Sequence, residues 1–338
     1  PSGAATDPAT GTPYVTWAIT CKRAGMHWAD SVASKESSSG MIDWKLPFGN
    51  NRFVHNDIAS EASNTANSPL HPWRRYVAIG DSFTEGIGDP DPSSAGRHLG
   101  WADRLAQELS RTVPDFSYAN LAIRGRLIGQ IVAEQLDPCI DLKPDLISLC
   151  AGGNDVLRPG GDPDKIADIL DDAVAKLTAT GATLLLFTGP DIRDTPVLGS
   201  IRGKVAIYNE NVRTVAARHD AIVADMWALQ ELHQSQMWAP DRLHFSPIGH
   251  QRIAAMALDS LNVPHQLDTD IVPVVDERSW REARKEDLQW AREHLAPWVL
   301  RRLRHQSSGD GITPKRPSAT PFADAKPNDS LGAGDSAK

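Results

Sequence analysis

The feature of this sequence that most constrains its fold is a regular alternation of short apolar runs with helical stripes between residues 76 and 261. Apolar runs of strand length occupy residues 76–80, 116–121, 145–151, 183–187 and 221–226. Between them, apolar residues recur three and four positions apart, the spacing of one helix face. The clearest such stripe is Ile166, Ile169, Leu170, Ala173, Val174 and Leu177. Strands that alternate with helices form a parallel sheet covered on both faces. The pattern therefore predicts an α/β protein with a three-layer α/β/α domain built on a five-stranded parallel sheet.

The segments on either side of this region differ from it in composition. Residues 1–71 are rich in Ser, Ala, Asn, Thr and Gly, lack a helical or strand period, and predict a poorly structured N-terminal segment. Residues 72–268 form the predicted α/β domain. Residues 269–305 are charged, carry several tryptophans, and predict a helical extension that packs on the domain or, alternatively, binds an anionic membrane surface or acidic partner. Residues 306–338 are dominated by small, polar and charged residues and predict a disordered tail.

The overall composition argues against several classes of protein. A formal net charge of -8 over 338 residues is unfavourable for nucleic-acid binding, which depends on clustered Lys and Arg. The sequence has 3 cysteines without a C-x-x-C pair, no secretory signal and no apolar run of membrane-spanning length, so we expect a cytoplasmic protein. No H-E-x-x-H or comparable ligand spacing occurs, so we expect neither a metal nor another cofactor.

The first candidate catalytic residue is Ser82, in the block Gly80-Asp81-Ser82-Phe83-Thr84-Glu85-Gly86. This block follows the first predicted strand, so Ser82 should lie at the carboxyl edge of the sheet, where ligands of such sheets bind. The unpaired N–H groups and the dipole of a helix N-terminus stabilise negative charge there, which suits a nucleophile that attacks an acyl carbon. A Gly-Asp-Ser turn by itself is also common loop chemistry.

The second candidate is the pair Asp241 and His244, directly before the Ser246-Pro247 start of the last predicted helix. A separation of three residues lets one short loop present both side chains. Asp241 can then accept from one ring nitrogen of His244 while the other nitrogen faces Ser82. In isolation these two residues could equally cap or decorate a loop, and the strand-end serine is what favours a catalytic interpretation.

Two further blocks offer hydrogen-bond donors for an oxyanion. Gly152-Gly153-Asn154-Asp155 follows the third predicted strand, which brings the Asn154 amide to the same sheet edge as Ser82. Gly125 follows the second strand and offers a backbone N–H. Glycine-rich turns are ordinary loop punctuation, so each block is a modest indication when it stands alone.

Taken together, the four blocks resemble those of the SGNH (GDSL-type) hydrolases in order and spacing, over about residues 73–261. They are G-D-S-x-x-x-G from Gly80, the glycine at 125 after Asn120, G-x-N-D from Gly152 and D-x-x-H from Asp241. The resemblance implies a flavodoxin-like hydrolase fold with Ser82 as nucleophile, His244 as general base and Asp241 as the residue that orients it. It also implies an oxyanion hole formed by the N–H groups of Ser82 and Gly125 with the Asn154 amide. Asp81, Gly152 and Asp155 are the expected supporting residues.

The predicted function is hydrolysis of a carboxylic ester through an acyl-enzyme on Ser82. The resemblance allows a small-molecule substrate of the short-acyl, lysophospholipid or acetylated-sugar type. We expect specificity from loops 87–100, 190–204 and 226–240, and Arg124 and Arg126 either recognise an anionic substrate group or face solvent. Two alternatives are an acyltransferase that uses the same acyl-enzyme and, less favoured, a non-catalytic ligand-binding α/β domain. The sequence lacks the Walker lysine and a complete G-x-G-x-x-G, which argues against the ligand-binding alternative.

Overall fold

The computed structural model describes residues 70–195, 198–270, 290, 292–293 and 307–322. Within them, six strands form one sheet: β1 (Arg75–Gly80), β2 (Ser117–Asn120), β3 (Leu146–Cys150), β4 (Thr183–Phe187), β5 (Ile222–Ala224) and β6 (Arg316–Pro321). Their order is β5-β4-β3-β1-β2-β6. Strands β1 to β5 are mutually parallel and confirm the predicted runs. Their order, 2-1-3-4-5, is that of flavodoxin-like doubly wound sheets, so the predicted fold class is also confirmed.

Helices cover both faces of this sheet. In the part of the chain that the structure describes they are α1 (Ser82–Glu85), α2 (Gly100–Ser110), α3 (Ile128–Asp141), α4 (Gly153–Val156), α5 (Pro163–Thr178), α6 (Arg202–Arg218) and α7 (Pro247–Ser260). Ser246 caps α7, since its side chain accepts from the Gly249 N–H and Pro247 occupies the first turn, as the sequence predicts. None of the helices described is long and apolar enough to cross a membrane.

The core is divided by the sheet into two apolar layers. Tyr76 and Ala78 of β1 belong to the layer that α2 and α7 cover, whereas Val77 and Ile79 belong to the layer that α3, α5 and α6 cover. This division follows from the strand geometry, because successive side chains point to opposite faces. Strands buried on both faces read as continuous apolar runs, which is why they were visible in the sequence.

The sixth strand corrects two predictions. Strand β6 pairs antiparallel with β2, with Ser117 opposite Pro321 and Tyr118 opposite Thr320, so the sheet has six strands and not five. The predicted disorder from residue 306 is accordingly wrong for residues 307–322. The physical reason is that β6 is an edge strand whose sequence, RPSATP, leaves most side chains exposed and contains proline, which edges tolerate. Such a strand lacks the apolar alternation by which strands are recognised.

A buried lysine attaches this strand to the domain. The Lys315 ammonium lies 3.1 Å from Asp103 Oδ1 and donates to the carbonyl oxygens of His98 at 3.0 Å and Leu99 at 2.6 Å. Burial lowers the pKa of Lys315, although Asp103 acts in the opposite direction. The next residue, Arg316, lies over the rings of Tyr118 and Phe322. The strand is therefore held by side chains as well as by backbone pairing.

At the N-terminal side, the described chain begins within the predicted flexible segment. His71 is buried, donates from Nε2 to the Leu109 carbonyl at 2.8 Å and stacks on Trp73. The packed chain thus starts at or before residue 71, a little earlier than predicted. Residues 1–69 and nearly all of the predicted helical extension lie outside the described residues, so those two predictions stay predictions.

Candidate active site

Ser82 is held at the carboxyl end of β1 by the two residues that precede it. Both backbone groups of Gly80 pair with the side-chain amide of Gln135 from α3, at 2.8 and 2.9 Å. Asp81 caps α1 by accepting from the Phe83 N–H at 3.1 Å. Ser82 is consequently the first residue of a helix, with its own N–H among the unpaired donors of the helix N-terminus. The Ser82 side chain is partly exposed, which the predicted role as a nucleophile requires.

Asp241 and His244 lie on a tight loop between the 3-10 turn Ser235–Met237 and α7. Asp241 Oδ2 accepts from His244 Nδ1 at 2.6 Å, while Oδ1 accepts from the N–H groups of Leu243 and His244, both at 3.0 Å. Burial by itself raises the pKa of Asp241, but the His244 ring and these N–H groups hold that pKa well below its usual range. Because a carboxylate only accepts hydrogen bonds, the proton of neutral His244 resides on Nδ1. The lone pair on Nε2 is therefore available to accept a proton.

The side chain of Asn154 joins the ends of β1 and β2. Its Nδ2 donates to Asp81 Oδ2 at 2.9 Å and to the Arg126 carbonyl at 3.1 Å. Burial raises the pKa of Asp81 to about 6, against the opposing effects of the Phe83 N–H, His244 and Asn154. Asp81 is thus a buried carboxyl group whose two oxygens hold α1, which begins at Ser82, and the Asn154 amide.

Gly125 lies on the loop of residues 123–126, which we call the oxyanion loop. Its φ of +73° is in the left-handed region, which favours glycine. The loop is tied to α1 through Glu85, whose carboxylate accepts from the Arg124 N–H at 2.7 Å and from the Arg124 guanidinium. Glu85 is buried, whereas the Arg124 side chain is partly exposed.

The predicted catalytic and oxyanion residues line a single cavity of about 720 Å³. Ser82, Gly125, Asn154, Asp241 and His244 all belong to its wall. The rest of the wall is mainly apolar and includes Phe83, Ile87, Phe187, Ile201, Met226 and Trp238. The structure thus brings together residues from four separate segments at one sheet edge. Their individual chemical roles stay predictions.

Two of the predicted supporting residues lie just outside this cavity. Gly152 is the N-cap of α4, and Asp155 accepts from the Ile128 N–H at 2.9 Å at the start of α3. They shape the segment that carries Asn154. Among the described residues, no group of three or more His, Cys, Asp or Glu side chains is arranged to hold a metal ion.

A comparison with family models shows the family of the chain. The model described as the GDSL-like lipase/acylhydrolase family matches residues 78–252, just over half of the 338-residue chain. The chain belongs to this family. The protein is therefore a serine ester hydrolase of the SGNH type, as the four motifs predict. A search of curated proteins found no match.

Several solved structures are similar to this GDSL-like hydrolase. One is LAE5, an α/β hydrolase from the metagenome of Lake Arreo, Spain, which is 25% identical over 58% of this chain and 98% of its own, with a TM-score of 0.47. Another is Axe2, an acetylxylan esterase from Geobacillus stearothermophilus, which is 20% identical over 58% and 98% of the two chains, with a TM-score of 0.48. A third is TesA, 23% identical over 55% and 97%, with a TM-score of 0.47.

The site of this GDSL-like hydrolase also contains residues that the sequence did not indicate. Trp290, Ser307 and Ser308 line the cavity, and Trp290 Nε1 donates to the Asp241 carbonyl at 2.8 Å. The Arg242 guanidinium lies 5.3 Å from the centre of the Trp290 ring. These residues come from the predicted extension and tail, and no motif or local pattern in those segments marks them.

The two arginines beside Gly125 are paired within this GDSL-like hydrolase. Arg124 pairs with Glu85, and Arg126 pairs with Glu134 at 2.8 Å and Asp310 at 3.1 Å. Both guanidinium groups thus already have carboxylate partners. The geometry favours a role in holding the oxyanion loop over either role predicted for them, recognition of an anionic substrate group or exposure to solvent.

Proposed function

We propose that this protein hydrolyses carboxylic esters with an apolar acyl group, through an acyl-enzyme on Ser82. The observation that carries the proposal is the 2.6 Å bond between Asp241 Oδ2 and His244 Nδ1 in the same cavity wall as Ser82. That bond assigns the tautomer in which Nε2 can take a proton. A serine at a helix N-terminus and a histidine with this tautomer are the two parts that acyl transfer needs.

In the proposed cycle, His244 Nε2 removes the Ser82 proton as Oγ attacks the ester carbonyl. The carbonyl oxygen becomes negative and accepts from the N–H groups of Ser82 and Gly125 and from the Asn154 amide. Both Nδ2 hydrogens of Asn154 already have acceptors, so the oxyanion shares the hydrogen directed at the Arg126 carbonyl, the longer of the two bonds, while that carbonyl continues to align the amide. His244 then protonates the leaving alcohol, and water repeats the sequence to release the acid.

The walls of the cavity support an apolar acyl group. A cavity of about 720 Å³ is much larger than an acetyl group requires, and its side chains beyond the predicted triad are mainly aliphatic and aromatic. Each methylene transferred from water to such a surface contributes about 0.8 kcal/mol. Acetylated sugars would leave most of this apolar surface in contact with water or hydroxyl groups.

The test compares p-nitrophenyl esters from acetyl to octanoyl, with acetylated xylo-oligosaccharides as the alternative substrate. We expect kcat/KM to rise up to about fourfold per added methylene over the first few carbons. Highest activity on the acetyl ester or on the acetylated sugar would contradict the acyl-group assignment.

The role of Ser82 is tested separately, because specificity and mechanism are independent. We expect Ser82→Ala to remain folded and to lose turnover, since only one small hydroxyl is removed. A serine-directed phosphonate should label the parent protein at Ser82 and leave the variant unlabelled, as determined by mass spectrometry of the digested protein. Turnover at the parent rate in Ser82→Ala would end the acyl-enzyme proposal.

A further inference from the structure

The turn of residues 307–310, which we call the C-terminal turn, packs directly on the oxyanion loop. A Cβ atom at Gly309 would lie 2.2 Å from the Arg124 carbonyl oxygen and 2.7 Å from Ile123 Cγ2. From the other side, a Cβ atom at Gly125 would lie 2.7 Å from Ser307 Oγ and 2.8 Å from Ser308 Oγ. The two segments touch without an intervening side chain at either glycine. A shift of one therefore displaces the other.

The C-terminal turn has internal bonds that hold its shape. The Ser307 N–H donates to the Asp310 carboxylate at 2.9 Å, and the Asp310 N–H donates back to the Ser307 carbonyl at 3.3 Å. The Ile312 N–H donates to the Gly309 carbonyl at 3.1 Å. Lys315 and β6 follow within a few residues and attach the turn to the domain. It is thus a supported contact surface for the oxyanion loop.

A charged contact connects the same turn to Asn154. The Asp310 carboxylate lies 3.1 Å from the Arg126 guanidinium, which also binds Glu134 of α3. The carbonyl oxygen of Arg126 accepts from Asn154 Nδ2 at 3.1 Å. The turn thus contacts the residues on both sides of Gly125, and one of these residues aligns the Asn154 amide.

We infer that the C-terminal turn is a positioning element of the oxyanion hole, with Gly309 and Asp310 as its positioning residues. Gly309 limits how far the Arg124 carbonyl can move, and Asp310 holds Arg126. Together they set the direction of the Gly125 N–H and of the Asn154 amide. The inference rests on the proposed function, since it requires negative charge to develop on a substrate oxygen at these donors.

The principal test is Gly309→Ala, with Gly311→Asn as the matched control. The added methyl group at 309 presses on the Arg124 carbonyl, whereas a Cβ atom at 311 meets no atom within 4 Å. Asn tolerates the positive φ of +76° found at residue 311. We expect Gly309→Ala to lower kcat by about 10- to 100-fold with little change in KM, because small misplacements of transition-state donors have effects of this size. The control should retain kcat.

A double-variant measurement separates positioning from general damage to the protein. If Gly309 acts through the oxyanion hole, its substitution should lower kcat much less in an Asn154→Ala background than in the parent. The inference would be overturned if the kcat loss in the double variant equalled the product of the two single losses. A folded Gly309→Ala with the kcat of the parent would also overturn it.

Asp310→Ala provides the decision if Gly309→Ala does not fold, because Asp310 is largely exposed. We expect it to reduce kcat by up to about fivefold, in keeping with an exposed ion pair, and to have a smaller effect when Asn154 is already alanine. An unchanged kcat would then overturn the inference. A different result would contradict the proposed function, namely turnover at the parent rate in Ser82→Ala. An inactive Ser82→Ala together with a fully active Gly309→Ala rejects the role of the turn alone.

Discussion

At the scale of single residues, the site depends on side chains that hold more than one partner at once. Asp241 accepts three hydrogen bonds, two from the backbone N–H groups of Leu243 and His244 and one from the His244 ring. Asp81 caps α1 with one oxygen and holds Asn154 with the other. A carboxylate can do this because its two oxygens offer about four acceptor sites. Substitutions at these positions are therefore expected to change geometry as well as charge.

Asn154 gives the sharpest prediction at this scale. We expect Asn154→Ala to lower kcat on the order of a hundredfold to a thousandfold with KM nearly unchanged, because the amide binds the oxyanion in the transition state. Asn154→Asp should be more damaging, since a second carboxyl group would lie beside buried Asp81. Steady-state kinetics on the preferred ester will measure both, with thermal unfolding as the control for folding. A raised KM with kcat preserved would make Asn154 a ground-state binding residue.

A second prediction concerns His250, which is fully buried in α7. Its Nδ1 accepts from the backbone N–H of Trp101 at 3.2 Å, and its Nε2 donates to the Ile87 carbonyl at 3.1 Å. Only the neutral ring satisfies both bonds. Burial lowers the pKa of His250 from 6.5 to about 3. The unfolded chain therefore takes up a proton first as pH falls. The stability contributed by neutral His250 is complete above pH 6.5 and is lost progressively down to about pH 3.

The corresponding measurement is the free energy of unfolding in urea at several pH values. Between pH 6.5 and 5, the contribution of His250 should fall by about 2 kcal/mol. His250→Gln retains a donor and does not titrate, so it should be less stable at pH 7.5 but should lose less stability on acidification. Parallel pH profiles for the two proteins would show that another group is responsible.

At the scale of elements, the oxyanion loop is connected to the nucleophile's helix by Glu85 and Arg124. Strand β1 ends at α1 and strand β2 ends at the oxyanion loop, and the Glu85 carboxylate joins the two through its bonds to the Arg124 N–H and guanidinium. This ties together the positions of the Ser82 and Gly125 N–H groups. The two donors predicted for one oxyanion thus belong to elements that share a buried contact.

We therefore expect Glu85→Ala to affect both stability and catalysis. Loss of hydrogen bonds to a charged group typically costs about 1.5–3 kcal/mol, and the partly exposed Arg124 moderates the loss because water can reach it. The free energy of unfolding should decrease by an amount within this range. We also expect kcat to fall by a larger factor than KM rises. Glu85→Gln keeps an acceptor for the Arg124 N–H and should recover part of both losses. Unaltered kinetics in a folded Glu85→Ala would show that the contact is purely structural.

At the scale of the whole molecule, the domain is completed by residues far along the chain from its motifs. Strand β6 covers the free edge of β2, and Lys315 binds Asp103 and the end of the loop before α2. The C-terminal turn then contributes Ser307 and Ser308 to the cavity. The hydrolase unit in this chain is thus larger than the part that the family model matches.

Two truncations test this extent. A chain ending at Phe322 should keep its stability and activity, because residues 323–338 are mostly small, polar and charged and are predicted to be disordered. A chain ending at Gln306 should lose about 3–5 kcal/mol of stability, since it leaves Asp103 without its buried cation and exposes the edge of β2. Urea unfolding and ester hydrolysis of the two proteins provide the comparison. Equal stability for both would mean that β6 contributes nothing to the fold.

Much of this protein could be predicted from the sequence because the relevant patterns are local. The apolar runs of β1 to β5 and the helical stripes between them record which faces are buried, and each motif directly follows a strand. Parallel strands end at one edge, so the sequence predicts that Ser82, Asn154 and Gly125 lie near each other. The Asp241 and His244 pair lies within one loop, and its hydrogen bond follows from that spacing.

Only the tertiary structure decided what surrounds these residues. Strand β6 has no apolar alternation because it lies at an edge with exposed side chains, so its pairing depends on β2 and on Lys315 and not on its own pattern. The contacts of Gly309 with Arg124 and of Glu85 with the same residue join segments that are distant in the chain. The local sequence around one residue of such a pair does not indicate the other, since packing and ion pairing depend on the folded geometry. The sequence by itself therefore determined the five parallel strands and the candidate reacting groups, and the folded chain determined the sixth strand, the cavity and the elements that hold the predicted oxyanion donors.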